Sequence, residues 1–359
     1  MPRRRADLDE DDVRVRPGRN KARARTKEQP THAAAIPAVV MTVDRGRFSC
    51  LVLGGQDDPD DAGDLDREVL AVKARQLGRR GIVVGDRVAL VGDVSGQPDA
   101  LARIVRVDPR QSVLRRSADD TDPIERVLVA NADQLGIVTA LADPEPRTGL
   151  IDRCLVAALD AGMTPLLILT KADLKGPEEL LATYDSLDIP YVVTQPGDDL
   201  AELRERLAGR TTVLVGHSGV GKSTLVNALV PDALRAIGRV NAVTGRGRHT
   251  SSSAVTLRIP RHSSDESPTW VVDTPGVRSF GLAHIDPARV IKAFPDLDAG
   301  TGECPRGCSH DEPGCGLDAW VAAGHASVER LDSFRRLLRA RVDDERGVVA
   351  RDEDAAGEV

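Results

Sequence analysis

A chain of 359 residues with a formal net charge of -7 has room for two or three domains and is too acidic overall for a general polyanion binder. Four Phe, two Trp and two Tyr exclude extensive base stacking, so any RNA contact must be mainly electrostatic. Five cysteines, three of them clustered late in the chain, do not make a disulfide framework, and no apolar run is long enough to span a membrane.

Residues 1–35 predict a disordered charged tail, in which Asp7 to Asp12 precede Arg16, Arg19, Lys21, Arg23 and Arg25. It is either a solvated tail or an RNA-contacting arm. No apolar signal-peptide core follows its arginines, so a cytoplasmic protein is expected. Short β-like runs come next: Pro37–Val43, Arg47–Leu53, Arg67–Ala74, Asp86–Val91 and Leu101–Val107. Five such strands across residues 36–116 predict a small barrel of the OB type. Arg75, Arg79, Arg80, Arg103, Arg106, Arg110, Arg115 and Arg116 gather late in it, as either a solvated surface or an RNA-backbone contact. Cys50 and Cys154 lie alone in apolar stretches and are expected in the core.

From about residue 120 strands alternate with helices, which predicts a parallel α/β sheet over residues 117–285. The strands are Gln134–Ala140, Pro165–Leu169, Tyr191–Thr194 and Thr211–Val215, and the helices Leu150–Ala161, Pro177–Ser186 and Asp199–Ala208. Two motifs mark a nucleotide site. Gly216-His217-Ser218-Gly219-Val220-Gly221-Lys222-Ser223 leaves a strand and opens a helix at Lys222-Ser223-Thr224, the context a phosphate loop requires. Its glycines let backbone N–H groups turn toward phosphates, Lys222 is expected on the β- and γ-phosphates, and Ser223 on Mg²⁺. Thr170-Lys171-Ala172-Asp173 follows another strand end; a carboxylate there can accept from N1–H and N2–H₂ of guanine, a donor pair adenine lacks. The alternative for Asp173 is a cap on the next helix.

The order is unusual, because the base-reading motif precedes the phosphate loop. That is a circular permutation, which a sheet with neighbouring termini tolerates. Asp273-Thr274-Pro275-Gly276 follows a strand ending at Val272, so Asp273 is expected on Mg²⁺ through water, and the N–H of Gly276 on the γ-phosphate. Thr250 is the candidate switch hydroxyl, with Ser251, Ser252 and Ser253 as neighbours that could replace it. Val277 stands where a water-orienting glutamine would be, so His249 is either the group that orders water or a loop residue contacting RNA.

Residues 286–345 predict a metal module. Cys304, Cys308, His310 and Cys315 supply three thiolates and an imidazole, a closed tetrahedral set for one structural Zn²⁺. A helix over roughly Leu317–Val342, broken near Gly324, follows, and residues 346–359 predict an acidic tail.

Taken together, these motifs resemble the RsgA family (also called YjeQ), circularly permuted GTPases dependent on the small ribosomal subunit. The resemblance covers about residues 36–340. It includes Val84-Gly85-Asp86-Arg87-Val88, Asn131-Ala132-Asp133-Gln134, Leu150-Ile151-Asp152-Arg153, Gly245-Arg246-Gly247-Arg248-His249-Thr250 and Glu312-Pro313-Gly314-Cys315, besides the nucleotide motifs. It implies a GTP hydrolase binding GTP/GDP and Mg²⁺, which matures the 30S subunit, contacts 16S rRNA and is stimulated by that subunit; the oligomeric state is left open by the sequence, with a monomer as the default. Three features depart from the pattern. Thr170 replaces the usual Asn, Thr194-Gln195 replaces a Ser-Ala loop, and the zinc spacings are one residue shorter on both sides. The rivals are a GTP-gated RNA-binding scaffold with negligible turnover, an ATPase or small-molecule kinase, and a permuted GTPase of the large subunit.

Overall fold

The computed structural model describes residues 34–52, 67–78, 81–97, 99–117, 125–231, 254–260, 267–274 and 287–340. Alternation of apolar and polar residues builds the first five strands: β1 (Ile36–Asp44), β2 (Arg47–Val52), β3 (Glu68–Lys73), β4 (Arg87–Gly92) and β5 (Ala102–Val107). They pair in the order β1-β2-β3-β5-β4, and β4 returns to β1, so the sheet closes into the expected OB-type barrel. Val40, Cys50, Val69, Ala71, Leu90 and Ile104 fill its interior without solvent exposure.

A hairpin absent from the sequence reading follows, β6 (Val113–Ser117) with β7 (Glu125–Ala130), straddling the boundary expected at 116/117. It leads to a hydrogen-bonded hub. Asn131, in the left-handed region at φ 56, donates from its amide to the Gly85 carbonyl and accepts from Gln111 N–H. Asp133 pairs with the backbone of Thr211 in both directions. The Asn-Ala-Asp-Gln segment thus ties barrel to sheet through its side chains. Gly85 is required beside it, because a Cβ there would sit 1.9 Å from the Ala130 carbonyl oxygen at φ +84.

The second half of the sheet holds β8 (Gln134–Ala140), β9 (Thr164–Thr170), β10 (Tyr191–Val193) and β11 (Thr211–Val215), with β12 (Val255–Arg258) and β13 (Trp270–Asp273). Their order is β10-β9-β8-β11-β13-β12; all neighbours are parallel except the β12–β13 pair. β8 is buried along its whole length, as a central parallel strand covered on both faces must be. One cover is α1 (Thr148–Asp160), whose Ile151, Cys154, Leu155 and Ala158 recur at helical spacing. The other is α3 (Ala201–Leu207) with α4 (Lys222–Leu229), whose Leu203, Leu207, Leu225 and Leu229 meet Leu166, Ile168 and Leu214. A short α2 (Glu178–Tyr184) lies between β9 and β10.

The C-terminal part is helical: α5 (Pro287–Val290), α6 (Pro295–Asp298), α7 (Gly316–Ala322) and a last helix over 328–340. Gly324, at φ 83, separates α7 from that last helix, at the position where the sequence suggests a break. Phe294, Leu297, Leu317, Phe334 and Leu337 join α1 in one continuous core. Among the described residues, no helix is long and apolar enough to cross a membrane.

Candidate functional site

The phosphate loop leaves β11 at Gly216, where a Cβ would lie 2.4 Å from the Val138 carbonyl oxygen, so only glycine lets the turn pass over β8. Gly219 and Gly221 take φ of 85° and 90°, and Gly221 is the residue before the first turn of α4. Val220 is buried, while Ser218, Gly219, Ser223 and Thr224 face solvent and His217 turns Nδ1 to the Ser218 carbonyl. This leaves a backbone cradle with exposed hydroxyls, which fits a phosphate chain and its Mg²⁺. Lys222 Nζ contacts Asp273 at the end of β13 and donates to the Thr274 carbonyl at 3.0 Å. Thr274, not singled out from the sequence, donates its hydroxyl to the Leu214 carbonyl at 2.8 Å and so fixes the end of β13 against β11. The signal for it was its place directly after the aspartate.

Across β8 lies the end of β9. Thr170 is buried and donates its hydroxyl to the Val220 carbonyl at 2.6 Å, inside the phosphate loop. Lys171 adopts φ 60 and its ammonium contacts the Asp143 carbonyl. Ala172 N–H donates to Thr194, so the turn after β10 backs this loop despite its altered sequence, and Asp173 is exposed. All fourteen residues expected to bind nucleotide therefore lie at the carboxyl ends of β9, β11 and β13 or in the loop and helix start that follow, the position where open α/β sheets bind ligands. His249, Thr250 and Gly276 lie outside the described residues.

Cys304, Cys308, His310 and Cys315 converge, with their ligand atoms all within 4.8 Å of one another. Cys304 Sγ is 3.8 Å from Cys315 Sγ and 3.6 Å from His310 Nδ1. A tetrahedron with Zn–S arms of ~2.3 Å and a Zn–N arm of ~2.05 Å has edges of about 3.8 and about 3.6 Å, so the donor set fits zinc in spacing and in chemistry. Burial raises the Cys304 thiol, with Cys315 adding to the effect, and pushes Cys308 up to about 12; a cation among them would offset that cost. Burial lowers His310, which favours the neutral imidazole a metal needs. His310 sits at φ 66, and the last helix braces it. Arg335 Nε donates to its carbonyl at 2.9 Å, and Arg339 forks onto Asp311 at 2.9 and 2.7 Å. The same helix grips the sheet domain through Arg336, on buried Asp152 and the Thr183 carbonyl, and Arg330, on the Ser186 carbonyl. Sequence reading passed over these arginines because their partners lie more than a hundred residues away or across a loop.

Of the barrel arginines, Arg110 is committed elsewhere: it forks onto the buried Asp86 carboxylate at 2.7 and 2.8 Å, which also accepts from Val83 N–H. This corrects its grouping with the arginines of a solvated or RNA-contacting barrel surface. Arg79 and Arg80, and the side chain of Arg116, lie outside the description.

Comparison with known proteins agrees with this geometry. The family model described as RsgA GTPase matches residues 107–283. The chain is 38% identical over 267 residues to the small ribosomal subunit biogenesis GTPase RsgA of Pseudomonas syringae pv. syringae (strain B728a), covering 72% of this chain and 74% of that one. It is 38% identical over 275 residues to the small ribosomal subunit biogenesis GTPase RsgA 1 of Vibrio vulnificus (strain YJ016), covering 73% and 76%. In fold it is similar to YjeQ from Thermotoga maritima, with a TM-score of 0.61 and 24% identity over 86% of this chain and 99% of that one. It is similar also to YloQ, described as a circularly permuted GTPase, with a TM-score of 0.58 and 22% identity over 89% and 98%. With a permuted phosphate loop, a barrel before it, a Cys/His cluster after it and this identity over three quarters of its relatives, the chain belongs to the RsgA family of GTP hydrolases.

Proposed function

We propose that this GTPase binds the small ribosomal subunit, hydrolyses GTP to GDP and phosphate during late 30S assembly, and is stimulated by the subunit. The observation that carries the reading is the meeting of Lys222, Asp273 and Thr274 at the ends of β11 and β13, two strands from Thr170–Asp173. Bound GTP–Mg²⁺ would supply the phosphoryl group that passes to water. Gly216, His217, Ser218, Gly219, Val220, Gly221, Lys222, Ser223 and Thr224 hold the phosphates, and Asp173 selects the base. Ser223, Asp273 and Thr250 serve the metal, Gly276 the γ-phosphate, and His249 the attacking water. Cys304, Cys308, His310 and Cys315 hold one structural zinc. The printed names of the relatives support the small subunit as partner. The exposed arginines of the barrel support contact with the 16S rRNA backbone. The protein acts as a cytoplasmic monomer, with 1–35 as tail, 36–116 as barrel, 117–285 as nucleotide domain, 286–345 as zinc module and 346–359 as acidic tail.

The test is GTP hydrolysis at fixed magnesium with and without purified 30S subunits, with ATP and 50S subunits as controls. Stimulation by 30S subunits with GTP alone is expected, and Lys222→Ala should abolish it. Equal rates with and without 30S subunits sink the proposal. Val277, in place of a glutamine, favours a second reading in that event: a GTP-gated rRNA-binding scaffold with negligible turnover.

A further inference from the structure

The barrel and the nucleotide sheet are joined by a strand pair. β12 lies between β13 and β1, and Val255, its first residue, stands opposite Asp273 of β13 on one side and Thr42 of β1 on the other. Asp273 in turn contacts the ammonium of Lys222 in the phosphate loop. Two rungs of one ladder therefore separate the expected metal ligand from the barrel. β1 is divided just before the second rung. Its register with β2 slips there: Val40 faces Cys50 and Thr42 faces Ser49, so Met41 is an extra residue, the arrangement that bends a strand. Before Met41, residues 36–39 pair with β4, and Val40 donates to the Asp86 carbonyl at 2.9 Å and accepts from Gly85 N–H at 2.8 Å. After Met41, Thr42 meets β12, and Val43 packs against both the barrel core and the core around α1. The first part of β1 is thus pinned to the barrel, and the second part is held by β12 as well as by β2.

We propose that the nucleotide site sets the pose of the β1–β2 hairpin tip through β12, with Met41 as the joint. This rests on the reading of Lys222 as a phosphate ligand and Asp273 as a metal ligand. With GTP–Mg²⁺ bound, Lys222 turns to the phosphates and Asp273 to the ion, so their mutual contact is given up and the end of β13 shifts with Asp273. The antiparallel ladder passes that shift from Asp273 to Val255 and from Val255 to Thr42. The extra residue at Met41 lets residues 42–49 follow while residues 36–40 stay with β4 and Gly85. The tip carries Arg45 and Arg47, both exposed. Coupling is reciprocal: a partner that fixes the tip changes the preference for GTP over GDP by the factor with which the nucleotide changes the hold on that partner.

Hydrogen exchange of the full chain, with Mg²⁺ and either GDP or a non-hydrolysable GTP analogue, tests it. Exchange in residues 42–49 and in β12 should differ between the two nucleotides by about fivefold or more, while residues 36–40 and β3 exchange alike. Equal exchange in residues 42–49 overturns the proposal. So does a difference spread evenly over all five barrel strands, because the barrel would then shift as one body. The phosphate loop, residues 216–224, is the internal reference. If neither nucleotide protects it relative to the protein alone, the nucleotide reading itself has failed, and the proposal with it. Asn131→Gly cuts a second tie between barrel and sheet, the amide bond to the Gly85 carbonyl, and keeps the left-handed backbone. The nucleotide-dependent difference in residues 42–49 should survive in that variant; its loss would make Asn131 the route and overturn the role of β12.

Discussion

The nucleotide end of the sheet and the Cys/His knuckle are two regions held by opposite means. At the nucleotide end the backbone does the positioning. β8, β9 and β11 are buried ladder strands, and their ends deliver Thr170, Gly216 and Lys222 as a consequence of register. At the knuckle, α5, α6, α7, the last helix and the loop between them have no ladder. Side chains hold it: the Cys/His cluster, the Phe294–Phe334 ring contact at 5.3 Å, and the arginines of the last helix. A ladder distributes its stability over many backbone bonds, whereas the knuckle concentrates it in a few groups. Single changes should therefore separate the two regions.

The largest effect is expected from zinc. Structural zinc contributes about 10–16 kcal/mol of apparent binding free energy in small zinc modules. Chelation, or Cys315→Ser, should unfold the knuckle and leave the sheet able to bind GDP. Hydrogen exchange should rise through residues 295–340 with strands β8, β9 and β11 still protected; loss of protection in both regions together would show that they form one cooperative unit. Next comes the core beneath each region. Leu214→Ala in β11, fully buried, should cost about 2–5 kcal/mol and weaken nucleotide binding with it. Phe334→Ala should cost about 3–5 kcal/mol and act first on zinc retention, read as faster zinc release to a chelating dye.

The same contrast explains what the sequence made legible. Barrel strands, β8 to β11, α1 and α4 were readable because alternation and helical spacing are local signals. The phosphate loop was readable because its glycines obey a local backbone rule: Gly219 and Gly221 take φ of 85° and 90°. The hairpin of β6 and β7 was missed because Val113–Ser117 carries Arg115 and Arg116 inside the strand and hides its alternation. Arg110 was grouped with solvent-facing arginines because nothing local announces Asp86, twenty-four residues earlier, as its partner. The knuckle's ligands were legible as a cluster of rare residues. Its bracing was not, since the link between Arg336 and Asp152 spans 184 positions.

That link gives the third effect. Asp152 is buried, and burial raises its pKa while Arg336 lowers it. Arg336→Ala leaves the carboxylate without its cation. The cost should be about 2–3 kcal/mol at neutral pH, below the figure for fully buried pairs because Arg336 is 34% exposed. The folded-state pKa of Asp152 is raised above its unfolded value and rises further in the variant. Folding then favours the protonated acid, so the destabilisation grows as pH climbs above the unfolded value and shrinks as pH falls toward it. Thermal midpoints of Arg336→Ala and the parent should differ more at pH 8 than at pH 5. An equal difference at both would show that the arginine acts by packing over Tyr184, 5.1 Å from the ring, rather than by charge.

The smallest effect is the most discriminating. Arg339 is 61% exposed, and its fork onto Asp311 should be worth about 0.2–1 kcal/mol, near the limit of a thermal melt. Yet Asp311 follows His310, which is held at φ 66, a conformation that costs a side-chain-bearing residue about 1 kcal/mol or more. If the arginines keep that backbone turned, Arg339→Ala should leave global stability within error and still speed zinc release several-fold, because the histidine ligand leaves its position more often. Arg335→Ala, which frees the His310 carbonyl itself, should speed it further, and Arg339→Lys, which keeps the charge but not the fork, should rescue only part of the loss. Unchanged release in all three would mean that the four ligands alone fix the knuckle, and that the contrast between ladder and side-chain bracing stops at the metal.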